Sequence, residues 1–309
     1  MPRRSRVVAA VVAPALATAS VLALSASPAA ASGFPTHFAA PYLQIGSESK
    51  NDMSADLAAT GLKYYTLAFL IPKSGCTPQW EDGDNAMNTY VSQVKAIENA
   101  GGRVAISFGG AEGGELAETC TSVASLTAAY ESVASTYGCY RLDFDIEGSD
   151  LDNTAANARR DQALAQVQKD NPSIQVDYTL PVDPSGLESN ALNLLRDAKS
   201  KGVTVSIVNI MTMDFGNGQN ALADAESAAN ATNGQLNSLW GASSSWGKLG
   251  LTPIAGKNDD NENFTQANAS TLESFAASKG VRELSFWEVH GYDKPTGYAY
   301  SKIFNKITG

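Results

Sequence analysis

The chain has 309 residues, 43% hydrophobic and 17% charged, with a formal net charge of −10. That acidic excess disfavours nucleic acid and anionic membrane as partners and suits a neutral substrate. Its three cysteines, Cys76, Cys120 and Cys139, fit no zinc spacing, so no metal role is expected of them, and no cofactor is expected either.

The chain opens with Arg3, Arg4 and Arg6, continues through an Ala/Val/Leu-rich stretch and reaches a small-residue A-x-A site at Ala29-Ala30-Ala31. This three-part pattern predicts a secretory signal peptide over residues 1–31 and a secreted, extracellular product comprising one domain over 32–309. Pro14 and the Ser/Thr interruptions argue against a membrane anchor. Loss of the three arginines takes the charge from −10 to −13. An odd cysteine count in an exported chain suggests one disulfide and one thiol left over.

From residue 38 onward, short runs rich in Val, Ile, Tyr and Phe alternate with Ala-rich amphipathic stretches. Strands are predicted near 38–45, 64–71, 104–108, 140–146, 175–180, 203–213, 251–254 and 283–287. Helices are predicted near 53–60, 86–100, 122–137, 154–169, 188–201, 221–239 and 265–279, with a short one near 298–306. Gly61, Gly101, Gly202 and Gly280 stand as stops after helices, and Pro172 follows another. Strands alternating with helices in this number and length predict an α/β fold, a single-domain (β/α)8 TIM barrel. A doubly wound sheet would show a Gly-rich phosphate turn after its first strand, and YLQIGSESKND supplies none.

The fourth strand carries the chemistry. Asp143, Asp145 and Glu147 alternate with Phe144 and Ile146, and side chains two apart share a strand face. In a barrel the acids enter the lumen, while Leu142, Phe144 and Ile146 pack under the helices. Glu147, just before the turn at Gly148, sits nearest the C-terminal mouth, where barrel enzymes work. Carboxyls stacked at about 6–7 Å intervals cannot all ionise cheaply, so their pKa values split. The expected outcome is a proton shared by Asp143 and Asp145 and a protonated Glu147 able to act as general acid. A calcium-loop reading of DFDIEG fails, because Glu147 and Thr154 stand where that motif needs Asp/Asn and Glu.

These residues give the chain its resemblance to a known family. LDFDIE resembles the core of the D-x-x-D-x-D-x-E signature of glycoside hydrolase family 18. SFGG at Ser107–Gly110 resembles the S-x-G-G ending that family's third strand, MTMD at Met211–Asp214 the M-T-Y-D ending its sixth, and LSFWEVHGYD a last strand whose tryptophan, here Trp287, floors the catalytic subsite. The likeness is strongest to secreted single-domain bacterial and archaeal chitinases and spans the chain beyond the signal peptide. There are two departures: Tyr140 replaces the signature's first Asp, and Met213 stands where many members place a tyrosine that holds the substrate's N-acetyl group.

The resemblance implies a secreted chitinase, a retaining glycoside hydrolase that uses the substrate's own acetamide as nucleophile. Glu147 would be the acid/base, Asp145 the group stabilising the oxazolinium ion, and Asp143 its proton partner. Trp287, Asp214, Met211, Met213, Ser107 and Gly110 are the candidate substrate-binding residues, with Met211 and Met213 open to plain lumen packing and Ser107, Gly109 and Gly110 to space-making. An endo-β-N-acetylglucosaminidase on N-glycans and a chitin-binding lectin without turnover are the alternatives. The expected partner is chitin or a chitooligosaccharide and the expected state a monomer. His37 and His290 read as structural or peripheral. Cys76 and Cys120 follow adjacent strands on one side of the barrel and pair naturally, leaving Cys139, at the opposite end, as a buried thiol.

Overall fold

In the computed structural model, which describes residues 33–218, 220–241 and 245–309, Pro41 divides the first strand in two. The expected signal peptide at 1–31 lies outside the described residues. Strand β1 runs as Phe38–Ala39 and Tyr42–Gln44, because Pro41 has no amide hydrogen for a ladder. Its neighbours keep the register. Ala40 donates to the Leu284 carbonyl (2.9 Å) and Tyr42 to that of Phe286 (3.1 Å), while the Pro41 carbonyl accepts from Thr66 (3.0 Å).

Seven strands follow in order: β2 Tyr64–Ser74, β3 Arg103–Gly109, β4 Arg141–Asp145, β5 Gln175–Pro181, β6 Val205–Met211, β7 Leu249–Thr252 and β8 Glu283–Leu284. Each lies parallel to its predecessor, and β8 returns to β1 with Glu283 opposite Phe38, closing a (β/α)8 barrel. Helices α1 Asp52–Thr60, α2 Val91–Asn99, α3 Val123–Tyr137, α4 Thr154–Asp170, α5 Ser189–Lys201, α6 Ala221–Trp240, α7 Gln266–Lys279 and α8 Ala299–Phe304 surround it. Among the described residues no helix is long and apolar enough to cross a membrane.

Alternation along β4 separates two environments. Leu142, Phe144 and Ile146 are fully buried in the layer between strands and helices. Phe144 stacks on Phe108 (5.2 Å, 7° between planes) and meets the edge of Tyr130 (5.1 Å). Burying side chains of this size contributes roughly 1.5–3 kcal/mol each. The opposite face of the same strand is polar. At the floor of the lumen Arg141 pairs with Asp177 (2.5 Å), its guanidinium 4.9 Å from the Phe34 ring centre and 5.2 Å from that of Phe38. Ser107, Asp143, Thr179, Asn209, Thr252 and Ser285 are buried above it.

Two differences from the sequence-based boundaries have local causes. β2 extends to Ser74 because the chain doubles back as Thr77–Trp80, antiparallel to it, and this return delays α2 from the expected residue 86 to Val91. After β7 a small antiparallel hairpin, Gly256–Lys257 with Asn263–Phe264, occupies what the sequence left as a loop. Cys76 and Cys120 are disulfide-bonded, tying the turn after β2 to the segment after β3, and Cys139 is a buried free thiol.

Candidate active site

Asp143, Asp145 and Glu147 rise in that order from the lumen to the mouth. Asp143 is held by hydroxyls: Ser107 donates at 2.6 Å and Thr179 at 2.8 Å, with the Tyr42 phenol at 2.9 Å. Burial pushes its carboxyl up to about 6, against the pull of the Ser107 bond. The chain of polar contacts continues sideways. Asn209 donates to Thr179 (3.1 Å) and Thr252 to Asn209 (2.7 Å), so β4, β5, β6 and β7 are joined at one level.

Asp145 is buried above this group. Burial first, then the negative charges of Glu147 and Asp143, raise its carboxyl well above the usual range. Its hydrogen-bonding partner is Glu147, and its Oδ1 has none. Three hydroxyls donate to Asp143, whereas Asp145 and Glu147 lie close enough to act on each other's charge. Glu147 is half-buried on extended backbone, and burial raises it too, assisted by the fields of Asp150 and Glu81.

The two glycines of SFGG are shaped by this arrangement. A Cβ on Gly109, whose φ is +98°, would meet the Asp145 carbonyl at 2.1 Å. One on Gly110 would strike the Phe69 ring at 2.6 Å. Phe69 stacks under Trp287 (5.6 Å, 9°), and Tyr42 lies 6.0 Å from both rings.

Two depressions meet at Glu147. One, about 230 Å3, lies between Trp287, Tyr42, Phe69, Asp145 and Asp259. The other, about 290 Å3, runs out past Leu151, Val182, Asp183 and Asn190. Met211, Met213 and Asp214 line both. Asp214 has left-handed backbone (φ +49°), and its Oδ1 accepts from the amides of Asp259 (2.8 Å) and Asp260 (3.3 Å). Ser107 and Gly110, expected among the substrate contacts, do not reach either depression. Ser107 is buried beneath Asp143, and Gly110 backs the aromatic wall. His290 stands apart from the acids, bonded to Asp52 (2.5 Å).

Sequence reasoning missed Tyr42, Phe69, Thr179, Asn209 and Asp259. Thr179 and Asn209 carried a faint signal: Gln175, Asp177 and Thr179 alternate along β5, and Asn209 interrupts the apolar run of β6. Tyr42, Phe69 and Asp259 carried none, since only barrel closure brings them to the acids.

No family model matches the chain. It is 32% identical over 312 residues to a probable bifunctional chitinase/lysozyme of Escherichia coli K12, a match spanning 89% of this chain and 35% of that protein. It is 32% identical over 274 residues to Endochitinase 11 of Metarhizium anisopliae, spanning 83% and 52% respectively. The chain thus corresponds to about a third to a half of these curated relatives. Active domain 2 of a thermostable chitinase from Pyrococcus furiosus, solved as catalytic-site mutants with chito-oligosaccharides, superposes with a TM-score of 0.80 at 31% identity, covering 89% of this chain and 95% of that domain. With that whole domain matched and its acids borne on β4 of a closed barrel, the chain belongs to glycoside hydrolase family 18.

Proposed function

We propose that the protein is a secreted chitinase that cleaves β-1,4-linked N-acetylglucosamine polymers with retention, using the substrate's acetamide as nucleophile. The observation that carries this reading is the Asp145–Glu147 pair at the junction of two depressions, one of them walled by Trp287. Burial and mutual repulsion keep one proton on the pair. A sugar stacked on Trp287 presents its glycosidic oxygen to Glu147, which protonates it as the bond breaks. The acetamide carbonyl oxygen attacks the anomeric carbon from the other side. Asp145, now anionic, accepts from the acetamide N–H and offsets the charge of the oxazolinium ion. Water then opens the ring and gives its proton to Glu147. Met213 offers no phenol to the acetamide, and Asp214 is already committed through Oδ1, so Asp145 is left to orient that group.

Glu147→Gln tests the assignment. Turnover of chitohexaose falls about 10²–10⁴-fold, the range for loss of a general acid, while oligosaccharide binding by calorimetry persists. Near-normal turnover would overturn it. Release of chitobiose by the wild type supports the chitinase reading. Cleavage confined to N-glycan cores would favour the endo-β-N-acetylglucosaminidase, and binding without cleavage the lectin. Export is tested by N-terminal sequencing of the secreted chain, which is expected to begin at Ser32.

A further inference from the structure

Glu288, the residue after Trp287, is a carboxylate where the strand pattern calls for an apolar side chain. The sheet continues past β8 through a bridge between Ile254 and Trp287, and side chains alternate across a strand. Ser285 and Trp287 therefore share the inner face, and Phe286 and Glu288 the outer one. Phe286 packs there against Tyr300 and Phe304, with ring centres 6.1 and 5.9 Å away. Glu288 is 5% exposed, and among the described residues no lysine, arginine or histidine forms an ion pair with it. It lines neither depression at Glu147. Its oxygens serve the backbone that follows. Oε2 accepts from the His290 amide (2.9 Å) and Oε1 from that of Gly291, while the Glu288 carbonyl accepts from Tyr292 (3.3 Å) and Asp293 (3.2 Å). One residue thus gathers four consecutive amides into the turn Val289–Asp293. Amides at the start of a helical turn have no partner within it, and a carboxylate gives them charge-assisted bonds. A Cβ on Gly291 would stand 3.0 Å from Oε1, so glycine leaves the carboxylate room.

We propose that Glu288 is a positioning residue: by gathering the amides of residues 290–293 it fixes the path of the chain out of Trp287 and so holds the indole flat on Phe69, beside Glu147. The other supports of Trp287 lie elsewhere. Its amide donates to the Pro253 carbonyl (2.9 Å) and its carbonyl accepts from Ala255 (2.8 Å), which ties the preceding side to the extension of β7. The far end of the turn is pinned by Asp52 of α1, which holds His290 (2.5 Å) and Lys294 (2.8 Å). Only Glu288 spans the interval between these anchors and the indole. The consequence for turnover rests on the chitinase reading, whereas the placement of the ring is a property of the free protein. A displacement of about 1 Å at a reacting centre costs as much as about 10²-fold in rate.

Glu288→Gln keeps the size of the side chain but sets an NH2 group against one of the amides. Full-length protein labelled with 5-fluorotryptophan is compared by fluorine NMR without ligand, and the Trp287 signal is identified by its loss in Trp287→Phe. In Glu288→Gln that signal shifts or broadens while those of the other tryptophans stay in place. With chitohexaose, kcat/KM falls about 10–100-fold, and the same substitution costs nothing further in a Trp287→Ala background. Circular dichroism verifies folding. If Glu288→Gln does not fold, Glu288→Asp, which keeps the charge but withdraws it by one methylene, carries the test. An unmoved Trp287 signal in the folded variant, or losses that multiply in the double mutant, would overturn the assignment. A wild type that leaves chitohexaose intact refutes the chitinase reading instead, and the fluorine signal alone then decides what Glu288 does.

Discussion

Tyr42, Ser107 and Thr179 spend their hydroxyls on Asp143, which never meets the cavity. Their effect is to hold down a carboxyl that burial alone would lift further. Tyr42→Phe removes one of those donors, so the Asp143 pKa rises above its present value of about 6, as read by carbon NMR of the carboxyl. An unchanged titration would show that the phenol bonds only to Thr179, 2.7 Å away. The acids themselves were legible from period-two alternation, because no solvated acidic run needs Phe144 and Ile146 as spacers. The hydroxyls around them were not, since a Tyr or Thr within a strand reads the same in a core as at a site.

At the level of elements, the strand and helix order followed from the apolar periodicities, and the boundaries failed where tertiary pairing extended or interrupted a segment. The return strand Thr77–Trp80, absent from the predicted strands, contains Pro78 and pairs as an edge, where a proline is tolerated. Helix α4 lies where the periodicity puts it, and it carries Arg160 and Asp161. Both are fully buried, with Arg160 pairing to Glu115 at 2.8 Å across the segment after β3. Periodicity cannot reveal a buried ion pair whose partner lies 45 residues away. The same segment is tethered by the Cys76–Cys120 disulfide, which closes a 44-residue separation. Cys76→Ser is expected to cost about 3–4 kcal/mol of stability, the chain-entropy value for a loop of that size. Urea unfolding under non-reducing conditions checks it, and a loss below about 1 kcal/mol would mean the loop is already ordered in the unfolded chain.

Across the whole molecule, buried carboxyls set a pH dependence. Burial raises Asp56 and Asp161 to about 7 and Asp143 to about 6, against about 3.9 in an unfolded chain. The folded state therefore retains protons that the unfolded state has released. The stability this contributes is complete below about pH 4 and is lost as pH rises through 6 to 7. Asp56→Asn removes one such group, and its stability-versus-pH slope between about pH 5 and 7 is expected to be shallower than wild type by up to 1.4 kcal/mol per unit. Parallel slopes in urea titrations would place the Asp56 proton elsewhere.

The lateral chain from Thr252 through Asn209 and Thr179 to Asp143 has an evolutionary reading. The barrel is held together by the apolar layer outside its strands, while its interior above the floor of Arg141, Phe34 and Phe38 is rich in hydroxyls, amides and carboxyls. Near-isosteric exchanges such as Thr to Val inside that channel alter acidity while barely disturbing volume. A lineage can thus shift its working pH from Thr252 on β7, three strands from the acids, with Asp145, Glu147 and Trp287 left as inherited.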